Sequence, residues 1–261
     1  MDLGMKGKVA LVTGGAGGLG SAIAASLARE GARVIVADVN REALDATVKT
    51  ICSSGGEIQG VEWDLADTAG IGERVKGIRD SWGHVDILVN NTGGPPPTLV
   101  QNITEVDWEK YFQSMVMSVI KLTDAVLPDM VNAGWGRIIT STSSGVIAPI
   151  PNLGISNTLR ASLMGWSKTL AREVAKEGVT ANIILPGRIA TQRIRQLDIA
   201  KSKREGRPVT DIERESTSTI PAGRYGKPAE YGDTIAFLAS AAAAYITGSV
   251  VRVDGGLIAS I

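Results

Sequence analysis

Glycines 14, 18 and 20 fall in "VTGGAGGLGSAIA", after a short β-branched run and at the start of an apolar-periodic helix. Glycine lets a chain turn sharply and approach a ligand without a Cβ in the way. A helix opening there aims its free N–H groups and positive dipole end at a phosphate. The second β-branched run, "ARVIVAD", ends at Asp38, 18 residues beyond Gly20. A carboxylate at that point takes both ribose hydroxyls of an adenosine, so the expected chemistry is dinucleotide binding. Asp38 would repel a 2′-phosphate, which favours NAD over NADP. Arg41, three residues on, softens that preference and keeps NADP as the alternative.

A second group with chemistry lies in "GISNTLRASLMGWSKTLARE", residues 154–173. Ser156 and Arg160 are four apart and share one helix face. Arg160 supplies a fixed positive charge but is a poor proton source. Ser156 offers a short, weakly acidic hydroxyl. Elsewhere the titratable residues look ordinary. The lone histidine, His84, sits in a turn before "VDILVNN", and the lone cysteine, Cys52, sits near a helix end beside "SSGG". No metal site is expected.

The elements that must position these residues alternate. "KVALVTG", "ARVIVAD", "IQGVEWD", "VDILVNN", "GRIITST", "VTANIILP" and "SVVRVDGG" read as seven strands, apolar nearly throughout, as strands covered on both faces should be. Helical patterns such as "GSAIAASLAREG" separate them, which argues for βαβ units and a parallel sheet. The fold class is therefore α/β: one doubly wound Rossmann-type domain over residues 1–261 with helices on both faces. The charged stretch from about 190 to 220 interrupts the pattern after a strand's C-terminal end, where ligands of this architecture bind. A lid over a pocket is the sharp reading and a solvated excursion the bland one. "GGPPP" at 93–97 stiffens the loop after the fourth strand.

The chain has 261 residues, 44% hydrophobic, with 27 basic and 27 acidic side chains. That balance gives no argument for nucleic acid. The alanine-rich uncharged stretch Thr234 to Val251 is too weakly apolar to span a bilayer. One cysteine permits no intrachain disulfide, and a reducing, cytoplasmic setting is expected.

In order and spacing these motifs resemble the short-chain dehydrogenase/reductase family over essentially the whole chain. "TGGAGGLG" fits that family's TGxxxGxG and includes Leu19. "WDLAD" puts Asp64, followed by Leu65, where the family's Asp contacts adenine. "NNTG" aligns Asn91 and Gly93 with the family's NNAG. "PGRIAT" fits PGxxxT, so Pro186, Gly187, the Ile189 backbone and the Thr191 hydroxyl are implied nicotinamide-side contacts. The resemblance implies hydride transfer between nicotinamide and a carbonyl or alcohol, and a homotetramer. It also implies a Ser-Tyr-Lys set plus an Asn. Anchored on "GWSKTLARE", the serine is Ser143, but the tyrosine position is Ser156, the lysine position Arg160 and the asparagine position Met115. No tyrosine occurs between Phe112 and Arg224. Arg160 keeps a charge that can bond the nicotinamide ribose. Ser156 would need a bridging water to reach a substrate oxygen.

Three function classes follow. The first is an NAD(P)-dependent oxidoreductase with an altered proton path through Ser143, Ser156 and Arg160. The second is a catalytically degenerate nucleotide-binding sensor or subunit. The third is a non-redox enzyme on the same scaffold; halohydrin dehalogenases use Ser, Tyr and Arg, but they lack the glycine-rich site. Arg160 and Arg188 beside the nicotinamide region, with Arg193 and Arg195 opening the lid, suit an anionic small-molecule substrate. Pairing of the lid arginines with Asp198 and Glu205 is the competing expectation. Tyr111, one turn before Met115, would face the site only if its helix were rotated, and Tyr225 is expected to be structural.

Overall fold

The computed structural model describes residues 2–261. Its seven strands are β1 (Val9–Thr13), β2 (Arg33–Asp38), β3 (Ile58–Glu62), β4 (Ile87–Asn91), β5 (Gly136–Ser141), β6 (Val179–Pro186) and β7 (Val250–Val253). They form one parallel sheet in the order β3-β2-β1-β4-β5-β6-β7. Val12 pairs with Val36 on one side and Val89 on the other, so the strand order reverses about β1. The crevice of a doubly wound sheet opens at the carboxyl ends of the strands flanking that reversal.

Alternate strand residues feed two apolar layers. On one face Val12, Val34, Val36 and Val89 pack under α1 (Gly18–Arg29), α2 (Arg41–Ser53) and α9 (Pro228–Leu238). On the other, Leu11, Ile35, Leu88 and Ile138 pack under α3 (Ile71–Trp82), α5 (Ser118–Asn132) and α6 (Gly154–Val174). All seven expected runs are strands. The uncharged stretch from Thr234 splits into the end of α9, one tight turn and β7. Among the described residues no helix is long and apolar enough to cross a membrane.

Two features bear on the site. α4 (Glu105–Phe112) joins α5 through a π-helical turn, Gln113–Met117. Such turns are rare inside helices and often mark functional positions. The charged stretch after β6 folds as α7 (Gln192–Glu205) and α8 (Val209–Ser218). Thr191 caps α7 by accepting the Ile194 N–H, and Gly206 closes it in the left-handed region.

Candidate active site

At the mouth of β1, a Cβ on Gly20 would drive into the Gly14 carbonyl, and one on Gly14 would lie 2.5 Å from the Asn91 carbonyl. Asn91 Nδ2 in turn donates to the Thr13 and Gly14 carbonyls. The glycine turn is thus locked onto the end of β4. α1 opens at Gly17 with no side-chain cap, and the space where a Gly17 side chain would lie is open. An uncapped helix start with open space beside it is what a phosphate cradle requires.

Asp38 closes the other end of the cradle. One oxygen accepts the Ala16 N–H at 3.1 Å and the other the Asn40 N–H at 3.1 Å. These bonds fix the carboxylate beside the glycine turn while leaving lone pairs for two hydroxyls. Arg41 points elsewhere: its Nε pairs with both Asp45 oxygens at 3.1 and 3.2 Å. Asp64 accepts the Ala66 N–H and is exposed, as is Gly93. Thr191 lies against the turn as well, since a Cβ on Gly18 would be 3.3 Å from it. The residues present fit a dinucleotide.

α6 carries the rest of the site along one face. Ser156 and Arg160 are both buried, at 8% exposure each. Arg160 Nη2 donates to the Thr92 carbonyl at 3.0 Å and the Gly93 carbonyl at 2.8 Å, and Nη1 to Ser141 at 3.3 Å. The side chain therefore ties α6 to the carboxyl ends of β4 and β5. Three of its five N–H donors are used, and no carboxylate forms an ion pair with it among the described residues. Burial lowers its pKa to about 10, with the neighbouring charge of Arg193 acting the same way, so it remains a cation at neutral pH.

Ser143 follows β5 and accepts the Gly145 N–H through its hydroxyl at 3.1 Å. Met115, in the π-helical turn, is 2% exposed and packs with Val119, Ile155 and Leu159. Tyr111 joins the rim of that apolar cluster.

The loop after β4 is built into the start of α6. Thr98 donates its N–H to the Asn152 carbonyl and accepts from the Gly154 N–H, both at 2.9 Å. A Cβ on Gly154 would sit 2.7 Å from the Val100 backbone. The segment that follows "GGPPP" is thus strapped to α6. Sequence reasoning left its role open, because the bridge depends on backbone groups that carry no residue signature.

The arginines after β6 separate into two kinds. Arg188 pairs with Asp198 at 3.0 Å, and the other Asp198 oxygen accepts the Tyr225 hydroxyl at 2.8 Å. Asp198 is 1% exposed, so this pair latches α7 onto the sheet end. Arg193 instead donates to the Pro95 carbonyl at 2.7 Å, across the mouth. The expected Arg188 contribution to an anion site is therefore answered by its own carboxylate. Glu205 pairs with Arg204 and Arg207, not with Arg193 or Arg195.

One buried tyrosine was not anticipated. Tyr231 on α9 is fully buried and shares a 2.8 Å hydrogen bond with the Ser141 hydroxyl. Burial raises its pKa, and its contacts are those of a core residue. The expected structural role of Tyr225 matches its bond to Asp198. His84 lies half-exposed beside Asp86, and Cys52 is exposed.

A parallel sheet with a glycine-turned crevice and a carboxylate ending β2 defines a dinucleotide-binding α/β protein. Residues 14–258 match the family described as enoyl-(acyl carrier protein) reductase. The 3-oxoacyl-[acyl-carrier-protein] reductase FabG of Escherichia coli (strain K12) is 37% identical over 254 residues, covering 97% of this chain and 98% of that one. L-sorbose reductase from Gluconobacter frateurii, solved with NADPH and L-sorbose, superposes with a TM-score of 0.94 at 32% identity, all of both chains being covered. YwfH, an NADPH-dependent reductase involved in bacilysin biosynthesis, gives 0.92 at 27% identity over 97% and 99% of the two chains. The chain belongs to the short-chain dehydrogenase/reductase family of NAD(P)-dependent oxidoreductases.

Proposed function

We propose that the protein transfers hydride between NAD and a carbonyl or alcohol substrate by an altered proton path, with Ser143, Ser156 and Arg160 in place of Ser-Tyr-Lys. The observation that carries this reading is Arg160, a buried cation fixed by three strand-end carbonyls on the same helix face as Ser156. When bound, the nicotinamide supplies or accepts the hydride. The chain's own residues deal with the charge this creates on the substrate oxygen. Ser143 Oγ orients that oxygen. Ser156 Oγ, too short to reach it directly, passes a proton through one bridging water. The Arg160 charge stabilises the developing alkoxide until the proton arrives. A positioned general acid supplies roughly 10²–10⁴ in rate, so turnover is slow unless the substrate carries an activated carbonyl.

Three observations support NAD as the favoured partner: the Asp38 carboxylate, its position at the glycine turn, and the commitment of Arg41 to Asp45. The two structural relatives named above use NADPH, which makes the discrimination a direct test. The remaining contacts in this reading are Gly14, Gly18, Leu19, Gly20, Asp64, Leu65, Asn91, Gly93, Pro186, Gly187, Ile189 and Thr191. The chain acts as one nucleotide-binding domain, with α7 and α8 as a lid, in a homotetramer.

The test is calorimetry with NADH and NADPH, followed by nicotinamide absorbance against ketones, keto acids and alcohols. NADH binding with slow turnover, accelerated by Ser156→Tyr with Arg160→Lys, is the expected result. Binding without turnover of any substrate, unchanged in that double variant, would favour the sensor reading. Failure to bind either nucleotide would sink the proposal.

A further inference from the structure

Arg160 and Arg193 both approach Gly94. A methyl group built on Gly94 would lie 3.7 Å from Arg160 Nη2 and 4.0 Å from Arg193 Nη2. The two guanidinium groups thus flank the exposed Gly94 from opposite elements, α6 and α7. Neither forms a salt bridge with an Asp or Glu among the described residues. By contrast, nearby Arg188 is neutralised by Asp198, and Arg224 by Glu230.

Two like charges brought together without a counter-ion repel, and burial adds to the penalty. Arg160 is held in that state by backbone carbonyls alone. After those bonds it keeps two N–H donors, while Arg193 has spent one on Pro95. Both Nη2 hydrogens of Arg160 are already given to Thr92 and Gly93, so toward Gly94 it offers its charge, while the free donors of Arg193 have the planar fork geometry that carboxylate and phosphate oxygens accept. An oxyanion that takes hydrogen bonds of about 2.9 Å from Arg193 lies beside the Arg160 charge. The adenosine end of the cradle lies at Asp38, on the far side of the glycine turn, so this pair is not placed to read a ribose phosphate there.

We propose that Arg160 and Arg193 form an oxyanion-binding subsite, and that the substrate carries a carboxylate or phosphate group seated between them. This deepens the redox reading of the same crevice and rests on it. It assigns Arg193 a specificity-determining role and gives α7 a reason to close, since the ligand's charge draws Arg193 toward Arg160.

The experiment is calorimetric titration of the NADH complex with oxamate, oxalate and inorganic phosphate, in the wild type, Arg193→Gln and Arg195→Gln. Arg193 makes a single side-chain hydrogen bond, to one loop carbonyl, so its replacement is expected to leave the fold intact. At least one anion is expected to bind the wild type and Arg195→Gln alike, and to bind Arg193→Gln at least tenfold more weakly, with NADH affinity unchanged. Preference for oxamate and oxalate identifies a carboxylate substrate; preference for phosphate identifies a phosphorylated one. Absence of binding by all three, or equal binding to Arg193→Gln, would overturn the subsite. Loss of NADH affinity in Arg193→Gln would overturn it too, by giving that arginine to the nucleotide. If the wild type binds no NADH, the redox reading fails separately, and the same comparison on the free protein still decides the subsite.

Discussion

Among the described residues the Asp38 carboxylate accepts two backbone N–H groups and no side-chain donor, so it is held in place with acceptor capacity to spare. Replacing it with alanine should weaken NADH binding ten- to a hundredfold, the range for losing hydrogen bonds to a charged group. NADPH affinity should hold or rise. Titration of both nucleotides checks this, and equal losses for the two would deny Asp38 its discriminating role. This residue was legible because its position at a strand end, in register with a glycine turn, defines its neighbours. Arg160 was only half legible. Its sequence position marks a charge on the site-facing side of a helix, yet nothing in the sequence says that Thr92, Gly93 and Ser141 take its N–H groups through their carbonyls. Backbone acceptors are common to all residues, so a side chain's capture by them becomes visible only once the strands are placed.

Among the elements, the lid segment makes the sharpest demand. Asp198 on α7 is buried against Arg188 and Tyr225, so Asp198→Asn leaves Arg188 without its partner. The loss should be about 3 kcal/mol in urea unfolding, at the low end for a broken buried pair because Arg188 keeps 30% exposure. Amide exchange in α7 should quicken with it; an unchanged α7 would mean that the latch is idle. α9 has a different anchor. Arg224, and then the Lys227 N–H, hold the Glu230 carboxyl down to about 2. Because the folded value is depressed, this contribution is full above the ordinary carboxylate value and fades as pH falls toward 2. Glu230→Gln should therefore lower Tm at pH 7 and lose its effect progressively below pH ~4.5. A deficit that stays constant with pH would mean that the bond does not depend on charge. The strut between the loop after β4 and α6 was not legible at all. Gly154 looks like any helix-start glycine, yet its missing Cβ admits the Val100 backbone.

Across the whole molecule, α6 is the element whose two faces do different work. Its inner face buries Ser156 and Arg160, the latter bonded to carbonyls at the ends of β4 and β5. Its outer face presents Thr158, Ala161, Ser162, Gly165 and Thr169, all exposed, and among the described residues nothing lies within 4 Å of a Cβ built on Gly165. A helix exposing small residues lets a second backbone come close with little side-chain entropy lost. In the proposed homotetramer this face would be covered, and the helix that holds the site would be braced from behind. Light scattering should then give four times the 27.3 kDa chain mass. Gly165→Glu should reduce that mass, because a charge on the covered face would be buried without a partner. Arg160 keeps its carbonyls within one chain, so NADH affinity should survive the dissociation. A wild type that scatters as a monomer would remove the tetramer from the proposal and leave α6 braced by its own chain alone. An unchanged mass in Gly165→Glu would move the contact to another face.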